Sequence, residues 1–186
     1  MGDTVREEGV LIERLRRGEK VAFEPLFDRY RERLFWVAYQ MLRNTEDALD
    51  AVQEVFLRVL RAIDRFDTKR RFYTWACQIL INHCVDRLRR KGTGGETVSL
   101  EKTGTPSVAL SGPDEEVAKE ETRNRVFEVL GRLPAPYRTV IVLREIEGLS
   151  CREVAEVVGT SHATVRWRLH RARIMFRKIW EKEYGG

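Results

Sequence analysis

The 186 residues carry 34 Lys and Arg against 29 Asp and Glu, a net charge of +5, with 42% apolar and 34% charged side chains. That length holds one mid-sized domain or two small ones, and the composition suits a soluble globular chain with a highly charged surface. The basic balance, with a pI of about 9.3, favours an anionic partner, but many basic proteins bind none, so the placement of charge says more than its sum.

Apolar residues recur at helical spacing almost throughout, and no convincing period-two strand appears, so the expected class is all-α. A short helix is predicted over 10–17, ending at Gly18. A long one follows, with Phe23, Phe27, Tyr30, Leu34, Ala38 and Met41 along one face. Thr45 can cap the next, which turns Ala48, Val52, Val55, Val59 and Ile63 inward. Residues 65–71 are polar and basic and read as a loop. A further helix is predicted over 73–90, with Trp75, Ile79, Val85 and Leu88 as core. Residues 92–113 are rich in Gly and small polar side chains without an apolar period, which is the signature of a flexible linker. Helical pattern resumes at about 114 and runs to Leu133, where Pro134 and Pro136 punctuate it, and three more helices follow. The expected organisation is two small helical domains, 1–91 and 114–186, joined by 92–113. Such halves have no set relative orientation until both dock on something.

No apolar run approaches the ~20 residues a bilayer span needs, so no membrane insertion is expected. The N-terminus is charged from Arg6 and lacks a signal-peptide stretch, which points to the cytoplasm. Cys77, Cys84 and Cys151 form no CxxC pair and read as small hydrophobes rather than a disulfide framework. On a helix His83 points away from the Cys77–Cys84 line and no fourth ligand is apparent, so neither metal nor cofactor is expected.

The most specific signal lies at 149–173. Ser150 and Glu153 make a capping box that starts a short helix. Ala155 is small where a second helix must cross closely, Gly159 supplies a tight turn, Thr160 or Ser161 can cap the next helix, and Val165 returns to the core. That spacing is a helix-turn-helix. Along the second helix Val165, Leu169, Ala172, Phe176 and Ile179 make an inward stripe, while Arg166, His170, Arg173 and Arg177 follow one position on, with Arg168, Arg171 and Lys178 nearby. No acidic residue occurs from Ser161 to Lys178. Such a helix can enter a major groove, where Arg reads guanine and other cations hold phosphates. A solvated basic face is the plainer alternative, which the turn signature outweighs.

The helix around 47–60 is charged oppositely. Glu46, Asp47, Asp50 and Glu54 cluster outward with Gln53, and Leu57 follows one turn on. Alone this would be a solvated acidic face; with a basic protein partner it would be a docking surface. Beyond it come Arg65, Lys69, Arg70 and Arg71, then at once Phe72, Tyr73 and Trp75, and the helix ends in Arg87, Arg89, Arg90 and Lys91. Cations interleaved with aromatics suit single-stranded nucleic acid. Trp75 reads as core, and Phe72 and Tyr73 as the better stacking candidates.

These segments resemble the extracytoplasmic-function (ECF) group of bacterial sigma factors, the promoter-specificity subunits of RNA polymerase. The carrying motifs are "GEKVAFEPLFDRYRERLF", "EDALDAVQEVFLRVLRAIDRF", "FYTWACQILINHCVDRLRR" and "LPAPYRTVIVLREIEGLSCREVAEVVGTSHATVRWRLHRAR", in order and covering nearly everything except the linker. The resemblance implies that the helix bearing Asp47, Asp50, Gln53, Glu54 and Leu57 docks on the clamp helices of core RNA polymerase. It implies that Arg65, Lys69, Arg70, Arg71, Phe72, Tyr73, Asn82, Asp86, Arg89 and Arg90 serve −10 recognition, with Asn82 beside a flipped base. It implies that Ser161, His162, Ala163, Thr164, Arg166, Trp167, His170, Arg171 and Arg173 read the −35 element of promoter DNA while their domain rests on the polymerase flap. An anti-sigma factor is a frequent partner in the family. The chain departs from the usual family pattern at Leu49, Ala51, Cys77 and Trp167, the last on the reading face.

Two other readings remain open at this point. A stand-alone helix-turn-helix repressor would use the acidic helix and the basic-aromatic segment as dimer surface and core. A Mg²⁺-dependent nuclease would use Glu46, Asp47, Asp50 and Glu54, but no second carboxylate cluster or phosphate-binding Gly loop accompanies them.

Overall fold

A computed structural model describes the backbone of residues 2–93 and 115–185 and the side chains of 7–90 and 121–185. The proposed linker therefore lies almost wholly outside the described residues. Among those described there are helices and no strands: α1 (Gly2–Arg16), α2 (Phe23–Leu42), α3 (Thr45–Ala62), α4 (Phe72–Thr93), α5 (Glu115–Arg132), α6 (Ala135–Ile141), α7 (Cys151–Val158) and α8 (His162–Tyr184). A π-type turn, Val142–Ile146, follows α6.

The local stops and starts have visible causes. Arg43 adopts a left-handed φ of 56° and returns its N–H to the Tyr39 carbonyl at 2.8 Å, closing α2. The cap of α3 is Asn44 rather than Thr45: its Oδ1 accepts from the Asp47 N–H at 2.8 Å. Asn is among the strongest N-caps, and a cap one residue earlier adds that hydrogen bond at no cost to the turn. The inward set of α3 is as expected, with Ala48, Val52, Val55, Val59 and Ile63 all buried. Fully burying one such branched side chain stabilises the fold by roughly 1.5–3 kcal/mol.

In α4 the core face differs from the expected one. Phe72, Tyr73, Ala76, Cys77, Leu80, Ile81 and Cys84 are buried, whereas Trp75, Ile79 and Leu88 are only partly so and Val85 is 49% exposed. Apolar residues occur nearly all round this helix, so periodicity alone could not choose its inner face. Burial pushes the Cys77 and Cys84 thiols up to about 12, which keeps both as neutral packing groups.

The two halves are packed on each other, contrary to the expectation of independent orientation. The C-terminal part of α2 is the reason: Trp36, Val37, Ala38, Tyr39, Gln40, Met41 and Leu42 are buried in succession. One side of that helix meets α3 and α4, and the other meets α5 and α6. Trp36 stacks on Phe127 with centroids 5.1 Å apart and planes 10° off parallel. Arg43 donates to the Phe127 carbonyl at 3.3 Å and lies where a Cβ at Gly131 would stand, within 2.6 Å, so the absence of a side chain at 131 admits the guanidinium.

Candidate nucleic-acid interface

Three surfaces can be built from the residues upward. The first is the outer face of α3. Leu49, Gln53 and Leu57 lie one turn apart along it, and the two leucines are 50% and 48% exposed. Asp50 is exposed beside them, and Glu54 pairs with Arg58 at 2.7 Å, a hydrogen bond that lowers the Glu54 carboxyl despite slight desolvation. A polar row flanked by solvent-facing leucines suits a protein partner better than a solvated helix face would. Asp47 does not belong to it. It is buried, accepts from Arg87 of α4, and ties the two helices together, with Asp50 at 3.7 Å from the same guanidinium. The acidic group considered for Mg²⁺ thus serves largely to pair arginines.

The second surface is the loop before α4 and the helix itself. Arg65, Lys69 and Arg71 are exposed, and the Lys69 N–H closes an Asx turn on Asp67 at 2.9 Å. Phe72 and Tyr73 do not offer their rings to solvent, which corrects the stacking assignment. They are 0% and 2% exposed. Phe72 meets Phe66 edge-on and Tyr73 stacks on Tyr30 at 5.4 Å. The face of α4 that remains accessible carries Trp75 and Ile79 partly, then Asn82, Asp86, Arg89 and Arg90. Trp75 and Ile79 thus flank Asn82 on one side of the helix, with Trp75 held against Phe66 at 4.8 Å.

The third surface is the helix-turn-helix. The capping box forms: the Glu153 N–H donates to Ser150 Oγ at 3.2 Å, and the Ser150 N–H donates to Glu153 Oε2 at 2.7 Å. Gly159 ends α7 at φ 63° with open space around it, so the backbone sign and not crowding calls for glycine. Of the two possible caps for α8, Ser161 is the one used, accepting from the Thr164 N–H at 3.1 Å. Val165, Leu169 and Ala172 face inward as expected. His162, Ala163, Arg166, Trp167, His170 and Arg171 form a continuous exposed row, with Trp167 57% exposed and 6.1 Å from Tyr137. Arg173 turns aside to pair with Glu145.

Sequence reasoning missed the residues that join these surfaces. Glu147, 5% exposed, meets Arg33 at 3.0 Å and the Tyr73 hydroxyl at 2.5 Å. Burial first, then Cys77 and Glu147, push the Tyr73 phenol far above its ordinary range. Arg138 is buried and donates to the Gly131 and Met41 carbonyls at 2.9 and 3.2 Å. No sequence signal marks these partners.

The fold is that of a two-part helical protein with a helix-turn-helix in its second half, the architecture of a DNA-binding protein, and α3 carries a separate candidate docking row. The family description Sigma-70 region 2 matches residues 26–93, and Sigma-70, region 4 matches residues 123–175. The ECF RNA polymerase sigma factor SigW of Bacillus subtilis is 34% identical over 175 residues, 90% of this chain and 93% of that protein. The ECF RNA polymerase sigma-E factor of Escherichia coli is 32% identical over 171 residues, 88% of this chain and 89% of that one. The solved structure of CnrH in complex with the cytosolic domain of CnrY is similar with a TM-score of 0.68 at 27% identity, covering 94% of this chain and 97% of CnrH. The chain belongs to the ECF sigma factors of the sigma-70 family. No described helix is long and apolar enough to cross a membrane.

Proposed function

We propose that this chain binds core RNA polymerase and directs it to promoters in the cytoplasm, acting as a specificity subunit with no catalytic residues and no cofactor of its own. The observation that carries the reading is the division of labour on one chain: a docking row on α3 (Leu49, Asp50, Gln53, Leu57) and a helix-turn-helix whose second helix carries no acidic residue from His162 to Lys178. Residues 1–91 form the core-binding and −10 unit, 92–113 the linker, and 114–186 the −35 unit.

Core polymerase meets α3 through Asp50, Gln53, Glu54 and Leu57, while Asp47 positions α4 behind them. The −10 strand meets Arg65, Lys69, Arg70 and Arg71 by its phosphates. A base unstacked from it lies against Asn82, over Trp75 and Ile79, with Asp86, Arg89 and Arg90 beyond; Phe72 and Tyr73 support this face from inside. Asn82 offers a donor and an acceptor to a base edge. Ser161, His162, Ala163, Thr164, Arg166, Trp167, His170 and Arg171 face the −35 groove, and Arg173 helps to set the angle of α8. A further protein partner is supported by the likeness to CnrH, solved in complex with the cytosolic domain of CnrY, and the family resemblance makes an anti-sigma factor the expected kind.

The test is co-elution with core polymerase on a sizing column, followed by transcription from a promoter library by the reconstituted complex. Tight, selective operator binding by the chain alone, without association with polymerase, would sink the reading in favour of a repressor.

A further inference from the structure

Two cations of the basic loop that reads as the −10 strand contact, Arg70 and Arg71, already meet acidic residues of the other half. Arg71 meets Glu153 at 3.0 Å, and Arg70 meets Glu156 at 3.3 Å while also donating to Gln78 at 3.1 Å. Thr74 donates to the same Glu153 carboxylate at 3.2 Å. Glu153 and Glu156 lie one turn apart on α7, the first helix of the helix-turn-helix, and α7 packs along α4. A carboxylate and a phosphodiester offer a guanidinium the same acceptor chemistry, so one arginine cannot fully serve both. The exposed row of α8 is untouched by this contact. The −35 face is open while two of the four loop cations are paired with carboxylates of α7.

The contact between the halves at α2 and α6 carries polar groups without full satisfaction. Both ends of the buried Gln40 side-chain amide lack a partner, as does Arg138 Nε. Burial lowers the Arg138 guanidinium to about 10, which leaves it charged at neutral pH against carbonyls alone. Parting the halves would hydrate all of these groups, offsetting part of the lost contact. The two loop ion pairs are partly solvated and weak singly.

We propose that the chain inhibits itself: α7 acts as an internal phosphate mimic, with Glu153 and Glu156 masking Arg70 and Arg71 until docking on a partner draws the halves apart. This rests on the assignment of that loop to the −10 strand.

The test uses the full chain. The double variant Glu153→Gln, Glu156→Gln removes both carboxylates, and glutamine at 153 keeps the capping hydrogen bonds. A charge-matched control, Glu24→Gln with Glu181→Gln, removes two exposed carboxylates elsewhere. Binding of a fluorescent single-stranded oligodeoxynucleotide is followed by anisotropy at low salt, and overall dimensions by small-angle scattering. The double variant is expected to bind about five-fold tighter than the control, from the loss of two weak competing pairs, and to be more extended. Adding Arg70→Ala and Arg71→Ala should abolish the gain. Equal affinities of the double variant and the control overturn the proposal, as does a wild-type chain already as extended as the variant. A gain that survives loss of both arginines overturns the masking through the loop assignment, with the closed state left standing.

Discussion

The Tyr73 hydroxyl donates to Glu147 Oε2 at 2.5 Å, joining residues 74 apart in sequence and the two halves of the chain in space. The same carboxylate receives Arg33, whose guanidinium lies 3.9 Å from the Tyr73 ring centroid. Cation, ring and buried carboxylate therefore form one compact unit. Tyr73→Phe keeps the ring and removes only the donor, so it should cost about 1–2 kcal/mol, read from the urea midpoint of unfolding. An unchanged midpoint would mean that the halves are not held together here in solution.

Asp47 and Gln53 lie on the same helix, α3, but Asp47 is buried and Gln53 exposed, and they should behave oppositely. Asp47→Ala leaves Arg87 with the longer contact to Asp50 and should destabilise the N-terminal half by on the order of 1–2 kcal/mol. Gln53→Ala touches only the exposed row and should leave the melting curve alone while weakening capture by core polymerase. Swapped phenotypes would show the docking face to be wrongly placed.

On α8, Arg166 and Arg171 belong to the exposed row, and Lys178 lies two turns beyond it. Neutralising either arginine should weaken some −35 variants more than others, by roughly 1–3 kcal/mol, because a base-edge contact discriminates. Neutralising Lys178 should lower affinity evenly and reduce the salt slope. The measurement is a promoter panel with the reconstituted complex; uniform losses for all three substitutions would refute the reading face.

Asn82→Ala should slow promoter opening, seen as reduced permanganate reactivity of thymines on duplex DNA. It should also weaken binding to a template already mismatched at −10, since a flipped base must recover the few kcal/mol of lost stacking and pairing. Wild-type behaviour on both templates leaves Asn82 a solvent-facing polar residue and no more.

His83 is pushed below its ordinary value of 6.5 by burial first and by Arg58 next, with Glu54 opposing. The unfolded chain therefore binds the proton more readily than the folded one. Stability from this group is present above about 6.5 and is lost as pH falls through the lower folded value. Thermal melts from pH 7.5 to 5 should show His83→Gln losing less stability than wild type over the acid half of that range. Parallel curves would assign the acid sensitivity to other groups.

How much of this could be read without coordinates divides along the range of the interactions. The helix-turn-helix was legible because its determinants are local: Ser150 with Glu153, Gly159 at its turn, and the Val165, Leu169, Ala172 stripe each act within a few residues or along one helix face. The inner face of α3 was legible for the same reason. The helix-starting role of Asn44 was missed by one position, since Thr45 is nearly as good a cap and only backbone geometry separates them. The inner face of α4 was not legible, because a helix apolar nearly all round buries whichever side its neighbours cover, and here that side holds Phe72 and Tyr73. The union of the halves was beyond reach altogether. Arg33 finds Glu147 across 114 residues and Arg71 finds Glu153 across 82, and nothing in either local segment distinguishes those glutamates from solvated ones. Periodicity and caps are short-range free energies written along the chain; which charge meets which across the linker is settled by tertiary packing.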